Sequence, residues 1–372
     1  MKFFSRKRKM KSRKKKMKSR SGRLKSRVIL CLSIMLIFNA CSKTTKQDEK
    51  TLFGKEEAKK ETVNIHRFEK ALFEYNNQDS QNKDAYLRSL EKEYKPMFAA
   101  SLSDEQYFSI VKNFVSDEQM QQANKLVSEA YPDLKWLEKE LAEALSKIKN
   151  IRTDNNSTDI YTLLVGPAEY SFAYQNRILV YPEFSAISLD LYAINVLSSH
   201  PYYKTIPEYL RIGLTKENIL PDYVRVYLQE ITFRDVPFQS QTPEATLLDC
   251  IIDEGKYIYA VSAILPQYKM NHILRYNPQQ QEWVEKNEYN IWSYIVQNQL
   301  LYCKDRTKYL SLIAEGPTTR GISDSPSRIG NYIGYKIVEA YMNENPISID
   351  SLFKISYSKT ILTTSKYKPN KH

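Results

Sequence analysis

The stretch that most constrains this chain is Leu247 to Pro266, LLDCIIDEGKYIYAVSAILP. Leu247, Ile251, Glu254, Ile258, Val261 and Leu265 recur at alternating steps of four and three, which places all six on one stripe of a helix. Five are apolar and the sixth is a carboxylate. A carboxylate facing a core is costly unless it is paired, protonated or bound to a metal. Gly255 sits beside it, and the missing Cβ admits another backbone. The spacing therefore predicts a central helix with a buried Glu254 in need of a partner. Arg328 is the cation expected to hold it, because a planar guanidinium grips a carboxylate through two parallel hydrogen bonds. Such a pair is read as structural, tying the central helix to the last long one.

That last helix is read from Ser325-Pro326, with Ser as cap and Pro in the first turn. Gly330 and Gly334 make one of its faces smooth, so a neighbour can pack closely there. Between residues 63 and 372 the period of the apolar residues changes twice. Ile65, Phe68, Leu72 and Phe73 give a helical stripe, and helices follow to about Lys149, one of them capped by Ser116. Ile160–Val165, Arg177–Tyr181 and Ile187–Leu191 read as short strands. Tyr192–Asp222 is irregular and Tyr-rich. Helical text resumes over Tyr223–Phe233, the central helix and Glu282–Asp305. The expectation is an α+β fold, mostly helical, in one domain over residues 63–372.

The formal net charge of +12 suggests a nucleic-acid partner, but its distribution argues against one. Residues 1–27 hold fifteen Lys or Arg, and residues 1–41 hold no acid, so residues 42–372 carry a net charge of −3. That body lacks a basic footprint, and no nucleic-acid partner is expected. The basic head precedes the apolar run Val28–Phe38, which has the length of a signal-peptide core and is short for a membrane span. Met10 and Met17 are alternative starts. Ala40-Cys41 follows directly and resembles a bacterial lipobox, with Cys41 as the lipidated first residue after a signal of residues 1–40. An uncleaved anchor is the alternative. Residues 41–62 then read as a lipidated cysteine and flexible tether. Cys250 and Cys303 remain, either as one disulfide or as two small core residues.

Catalytic motifs are sparse. His66, His200, His272 and His372 are the four histidines, and no two are three or four residues apart. HExxH, paired CxxC, GxSxG and phosphate-cradling glycine loops are absent. Cys250 with His272 lacks a third member. Asp253 and Glu254 are adjacent, so they point about 100° apart on a helix and cannot serve one site as a pair. Asp190, in Ser-Leu-Asp-Leu-Tyr, reads as a turn or cap carboxylate rather than a site residue. No catalytic residue, metal ligand or cofactor is assigned.

Residues 187–192, 247–266, 283–302, 325–342 (SPSRIGNYIGYKIVEAYM) and 365–369 resemble the gliding-motility lipoprotein GldB family, and the resemblance covers most of residues 63–372. Ser327 stands where that family usually has Gly. The resemblance implies a distant relation to zincin-like peptidases, in which an HExxH helix precedes a helix with a Glu-Gly pair. Glu254-Gly255 matches the second element, and Pro221–Glu230 stands at the first with no His, which implies a zincin-like scaffold without its metal. It further implies a non-catalytic lipoprotein on the periplasmic face of the outer membrane. That placement follows from the lack of an acidic cluster after Cys41. Its partners would be the membrane, through the lipid, and envelope proteins of the motility or secretion machinery. Tyr192–Tyr209 is the candidate contact surface. Two alternatives stay open: a metal-dependent hydrolase using Glu254, His200 and Asp190, and a glycan- or peptidoglycan-binding module.

Overall fold

Four short strands form the only β-structure among the described residues: β1 (Asn64–Arg67), β2 (Asp159–Leu163), β3 (Ile178–Val180) and β4 (Ser185–Ser188). The computed structural model describes residues 49–54, 61–153, 156 and 158–371. Cys41 and the basic head lie outside them. The sheet order is β1-β2-β4-β3. β1 and β4 flank β2 in parallel, with Asn64 opposite Asp159 and Ile160 opposite Ser185, and β3 closes one edge antiparallel to β4. All four β4 residues are buried, and so are Ile160, Tyr161 and Thr162 of β2. Burial on both faces explains why these strands do not alternate polar and apolar.

The strands expected around residues 160, 178 and 187 are present. β1 was read as the start of a helix, and that reading is wrong. Only Phe68–Phe73 is helical, and a four-residue strand running straight into a helix leaves no period of its own. The tether is also shorter than expected. Glu49–Phe53 is helical, with Leu52 and Phe53 buried, and two adjacent apolar residues give no periodic signal.

Around the sheet the chain is helical, in agreement with the mostly helical α+β expectation. Local chemistry sets the helix starts. Asp104 accepts from Gln106 N and Tyr107 N, and Asp117, not Ser116, accepts from Met120 N. Thr246 and Asp249 form a reciprocal capping box at the head of the central helix, Leu247–Ile264, and Asn277 with Gln280 form another ahead of Pro278. The helix expected over 282–305 is two, Pro278–Lys286 and Glu288–Gln297, broken at Asn287.

The last long helix is Ile329–Glu344, not one begun at Ser325. Ser325 lies outside it and bonds with Thr319 N and Ile322 O, while Arg328 stands at the helix start with φ 57°. This helix crosses the central one backbone to backbone. A Cβ on Gly334 would fall inside the carbonyl of Ile251, and one on Gly255 inside the carbonyl of Gly334. Helix-to-helix contact this close needs glycine on both helices.

The central helix is buried over most of its circumference. Leu247, Ile251, Ile258, Val261 and Leu265 are in the core as expected, but so are Leu248, Ile252, Tyr257, Ala260 and Ile264. Tyr192 and Tyr203 of the Tyr-rich stretch are core residues too, which leaves them unable to act as contact surface.

Candidate functional site

Three arginines and two carboxylates form a buried polar cluster among the described residues. Five separate segments supply it. Tyr174 comes from the short helix Tyr170–Gln175, and Arg177 lies just before β3. Asp222 sits on the helix Ile219–Tyr227, a buried element that continues as a wider turn over Leu228–Thr232. Arg275 follows the helix Met270–Leu274 at φ 56°. Glu315 and Arg328 come from the loop ahead of the last long helix. Two non-glycine residues held in the left-handed region within one cluster signal local backbone strain, which persists only where the surroundings over-determine it.

The side chains form one connected network, in which the buried Arg328 Nε, alone of the cluster's buried guanidinium nitrogens, has no hydrogen-bond partner among the described residues. Arg177 Nε donates to Asp222 Oδ2 at 2.8 Å, and Tyr192 OH donates to the same oxygen at 2.8 Å. Arg275 Nη1 donates to Tyr174 OH at 2.8 Å, and that hydroxyl donates on to Glu315 Oε1 at 3.0 Å. Arg275 and Arg328 flank Glu315 at 3.1 and 3.2 Å, and Arg328 Nη2 donates to the carbonyl of Arg275 at 3.1 Å. Arg177 lies 4.3 Å from the Tyr174 ring centroid. Burial alone would raise both acids. For Asp222, Arg177 and Arg275 outweigh it, and for Glu315, Arg275 and Arg328 do, so both carboxyls titrate below their ordinary values. With the tyrosines neutral, three guanidinium groups face two carboxylates. The cluster contains no nucleophile with a base beside it, and what it does chemically is hold five segments in register.

The expected Glu254–Arg328 pair does not form. Arg328 belongs to Glu315. Glu254 is only part-buried and accepts from Arg225 Nη2 at 2.6 Å. The buried acid of the central helix is its neighbour Asp253. It accepts from Ser240 N at 3.0 Å and pairs with the buried Lys256 at 3.3 Å, and Lys256 also donates to the carbonyl of Ile355 at 2.9 Å. Burial holds the Lys256 ammonium below its usual pKa, with Asp253 opposing that shift.

Asp190 is fully buried beyond β4. It accepts from Val165 N at 2.9 Å, Gly166 N at 3.0 Å and Tyr203 OH at 2.8 Å, so it pins the 165–166 loop in the manner of a turn carboxylate. Burial raises its pKa, although these donors oppose the rise. His200 bonds through Nε2 to Gln119 O at 3.0 Å and accepts from Tyr202 N through Nδ1 at 3.3 Å, which fixes the neutral tautomer with its proton on Nε2. Asp190 and His200 therefore meet around Tyr203, whose ring lies 5.4 Å from the imidazole. Glu254 is held elsewhere. Among the described residues no three His, Cys, Asp or Glu side chains stand close enough to share a metal ion. Cys250 and Cys303 are free thiols, not a disulfide.

Arg177, Arg275 and Glu315 escape sequence reading because each lies in a loop or at an element end, and Asp222 because its partner Arg177 is remote in the chain. Their contacts reach as far as 141 residues along the chain. The carboxyl-terminal run Ser365–Pro369, by contrast, is explained. Ser365 to Lys368 line a cleft of about 360 Å³ over the buried Glu288. There Tyr367 OH donates to Glu288 Oε1 at 2.9 Å, with Asn370 N and Nδ2 both at 3.4 Å.

Fold and site together define a helical α+β body with a small mixed sheet, a glycine-mediated helix crossing and an arginine-carboxylate lock. The family model of the gliding motility protein GldB matches residues 53–369, and this chain belongs to that family. No curated protein and no solved structure matches it. Family membership ties the chain to gliding motility. Among the described residues no helix is long and apolar enough to cross a membrane.

Proposed function

We propose that this chain is a non-catalytic, lipid-anchored component of the gliding motility machinery or its associated secretion, held by Cys41 at the periplasmic face of the outer membrane and engaging envelope proteins there. The match to the family over residues 53–369 carries the reading. A non-catalytic role is supported by the state of the acids on the two helices where a zincin-like site would stand. Asp222 is held by Arg177 and Tyr192, and Glu254 by Arg225. The helix Ile219–Tyr227 meets the central helix through that Arg225–Glu254 pair, a structural use of the acid.

The test is a deletion strain complemented with wild type or Cys41→Ser. Wild type should take up a fatty-acid label, sediment with outer membranes and restore surface spreading, and Cys41→Ser should do none of these. Label retained by Cys41→Ser, or spreading unaffected by the deletion, overturns the reading. One equivalent of tightly held metal, lost with an activity in Glu254→Ala, overturns its non-catalytic part.

A further inference from the structure

A cleft of about 520 Å³ opens between the start of the helix Lys135–Ile151, the turn Lys216–Asn218 and the segment after the central helix. It shares no residue with the arginine cluster. Trp136 and Glu140, one turn apart on the same helix face, form one wall, and Tyr268 adds a second ring whose hydroxyl donates to Glu140. The exposed Lys216 stands over the Trp136 ring at 4.5 Å, so a ligand that stacks on that face takes the place of a solvent-exposed ammonium and not of packed core.

The polar groups of the cleft are poorly engaged by the protein. Glu217 accepts from Thr215 OH at 2.8 Å through Oε2, and among the described residues nothing hydrogen-bonds its other oxygen from a side chain. The half-buried His272 ring has no hydrogen-bond partner among those residues. Desolvation lowers its pKa, against the pull of Glu217. Charges balance, with Glu140 and Glu217 against Lys216 and Lys269.

Each property narrows the ligand class. Balanced charge gives no field to draw in a polyanion such as nucleic acid or an anionic lipid surface. Spare hydrogen-bonding groups in the walls disfavour a purely apolar chain, which would leave them unpaired. Two aromatic rings beside planar carboxylate and imidazole groups suit a pyranose. Its C–H faces stack on rings, and its adjacent hydroxyls span one carboxylate. The volume lies within the roughly 300–1,000 Å³ of ordinary ligand sites.

We infer that this cleft binds an uncharged oligosaccharide, with Trp136 as the stacking platform and Glu217 and His272 as hydroxyl partners. The inference is independent of the anchoring at Cys41. Isothermal titration calorimetry of the full chain in detergent tests it, using neutral oligomers of N-acetylglucosamine, glucose and mannose, with polyglutamate as the charged control. At least one neutral oligomer should bind saturably. Trp136→Ala and Glu217→Gln should each weaken that binding at least roughly tenfold, or about 1.4 kcal/mol, with circular dichroism unchanged. Trp136→Phe, which keeps a ring, should retain part of it. Absence of heat with every neutral oligomer, equal affinity in both variants, or binding of polyglutamate alone overturns the inference.

Discussion

At the scale of single residues, the central helix shows what periodicity can and cannot decide. Its text places an acid in the core, and there is one. The acid is Asp253, not Glu254, because a helix apolar on nearly every side has no single stripe from which to choose between neighbours about 100° apart. The energetic expectations move accordingly. Glu254 and Arg225 are each about a quarter exposed (side chains 23% and 21%), so either single substitution to alanine should cost only about 0.2–1 kcal/mol. Lys256→Met should cost roughly 3–5 kcal/mol by stranding Asp253, and Asp253→Leu with Lys256→Met together should cost far less than the two single changes summed. Urea unfolding of the four single variants and the double measures this. Asp190→Ala removes one acceptor from three buried donors and should lose roughly 2–4 kcal/mol, whereas Asp190→Asn keeps an acceptor oxygen and should lose less. The acids also fix a pH dependence. Asp222 and Glu315 titrate below their ordinary 3.8 and 4.5 in the folded state. Their stabilisation is complete above those values and is lost as acid carries the pH through the depressed folded values. Asp190 runs the other way, since its raised folded pKa makes its ionised form a cost as pH rises past 3.8. The urea midpoint should fall between pH 5 and pH 3, about the ordinary carboxylate range, and fall less steeply in Asp222→Asn.

At the scale of elements, glycine placement is the most legible feature of this chain. Gly255, Gly330 and Gly334 announce a close helix crossing in the text, and the structure supplies it. They are not equivalent. A Cβ at Gly330 would stand 3.0 Å from Leu312 O, a contact that a shift of a few tenths of an ångström relieves, while at Gly334 it would collide with Ile251 O outright. Gly334→Ala should therefore lose at least about 3 kcal/mol and Gly330→Ala about 1 kcal/mol, in the range of overpacking costs, measured by denaturant midpoint. Helix starts are legible to within a residue: the cap expected at Ser116 falls on Asp117. β1 and the short turns between Leu191 and Asn218 are not, because three or four residues cannot display a period. The arginine lock is invisible for a different reason: its order lies in which loops meet, and only the folded chain states that.

At the scale of the whole molecule, the ends of the described chain are tied in. Tyr367 and Asn370 supply three of the four donors to the buried Glu288, with Tyr332 the fourth at 3.4 Å. Deleting residues 366–372 should destabilise the body by roughly 2–4 kcal/mol, since bonds to a charged acceptor are worth about 1.5–3 kcal/mol each and two of these three are long. Glu288→Gln should recover part of that loss in the truncated chain, as thermal melts of the two truncations will show. Sequence reading found this tail only as a familiar run of letters, because nothing in residues 365–369 names a partner near residue 288. β1 is made early, but Asn64 must pair with Asp159, 95 residues later. At translation rates of about 5–20 residues per second, this strand waits on the order of 5–20 s for its partner to exist. Through that interval its open edge is protected only by being short and by carrying His66 and Arg67, so lengthening or neutralising β1 should penalise yield in the cell before it changes the finished protein at all.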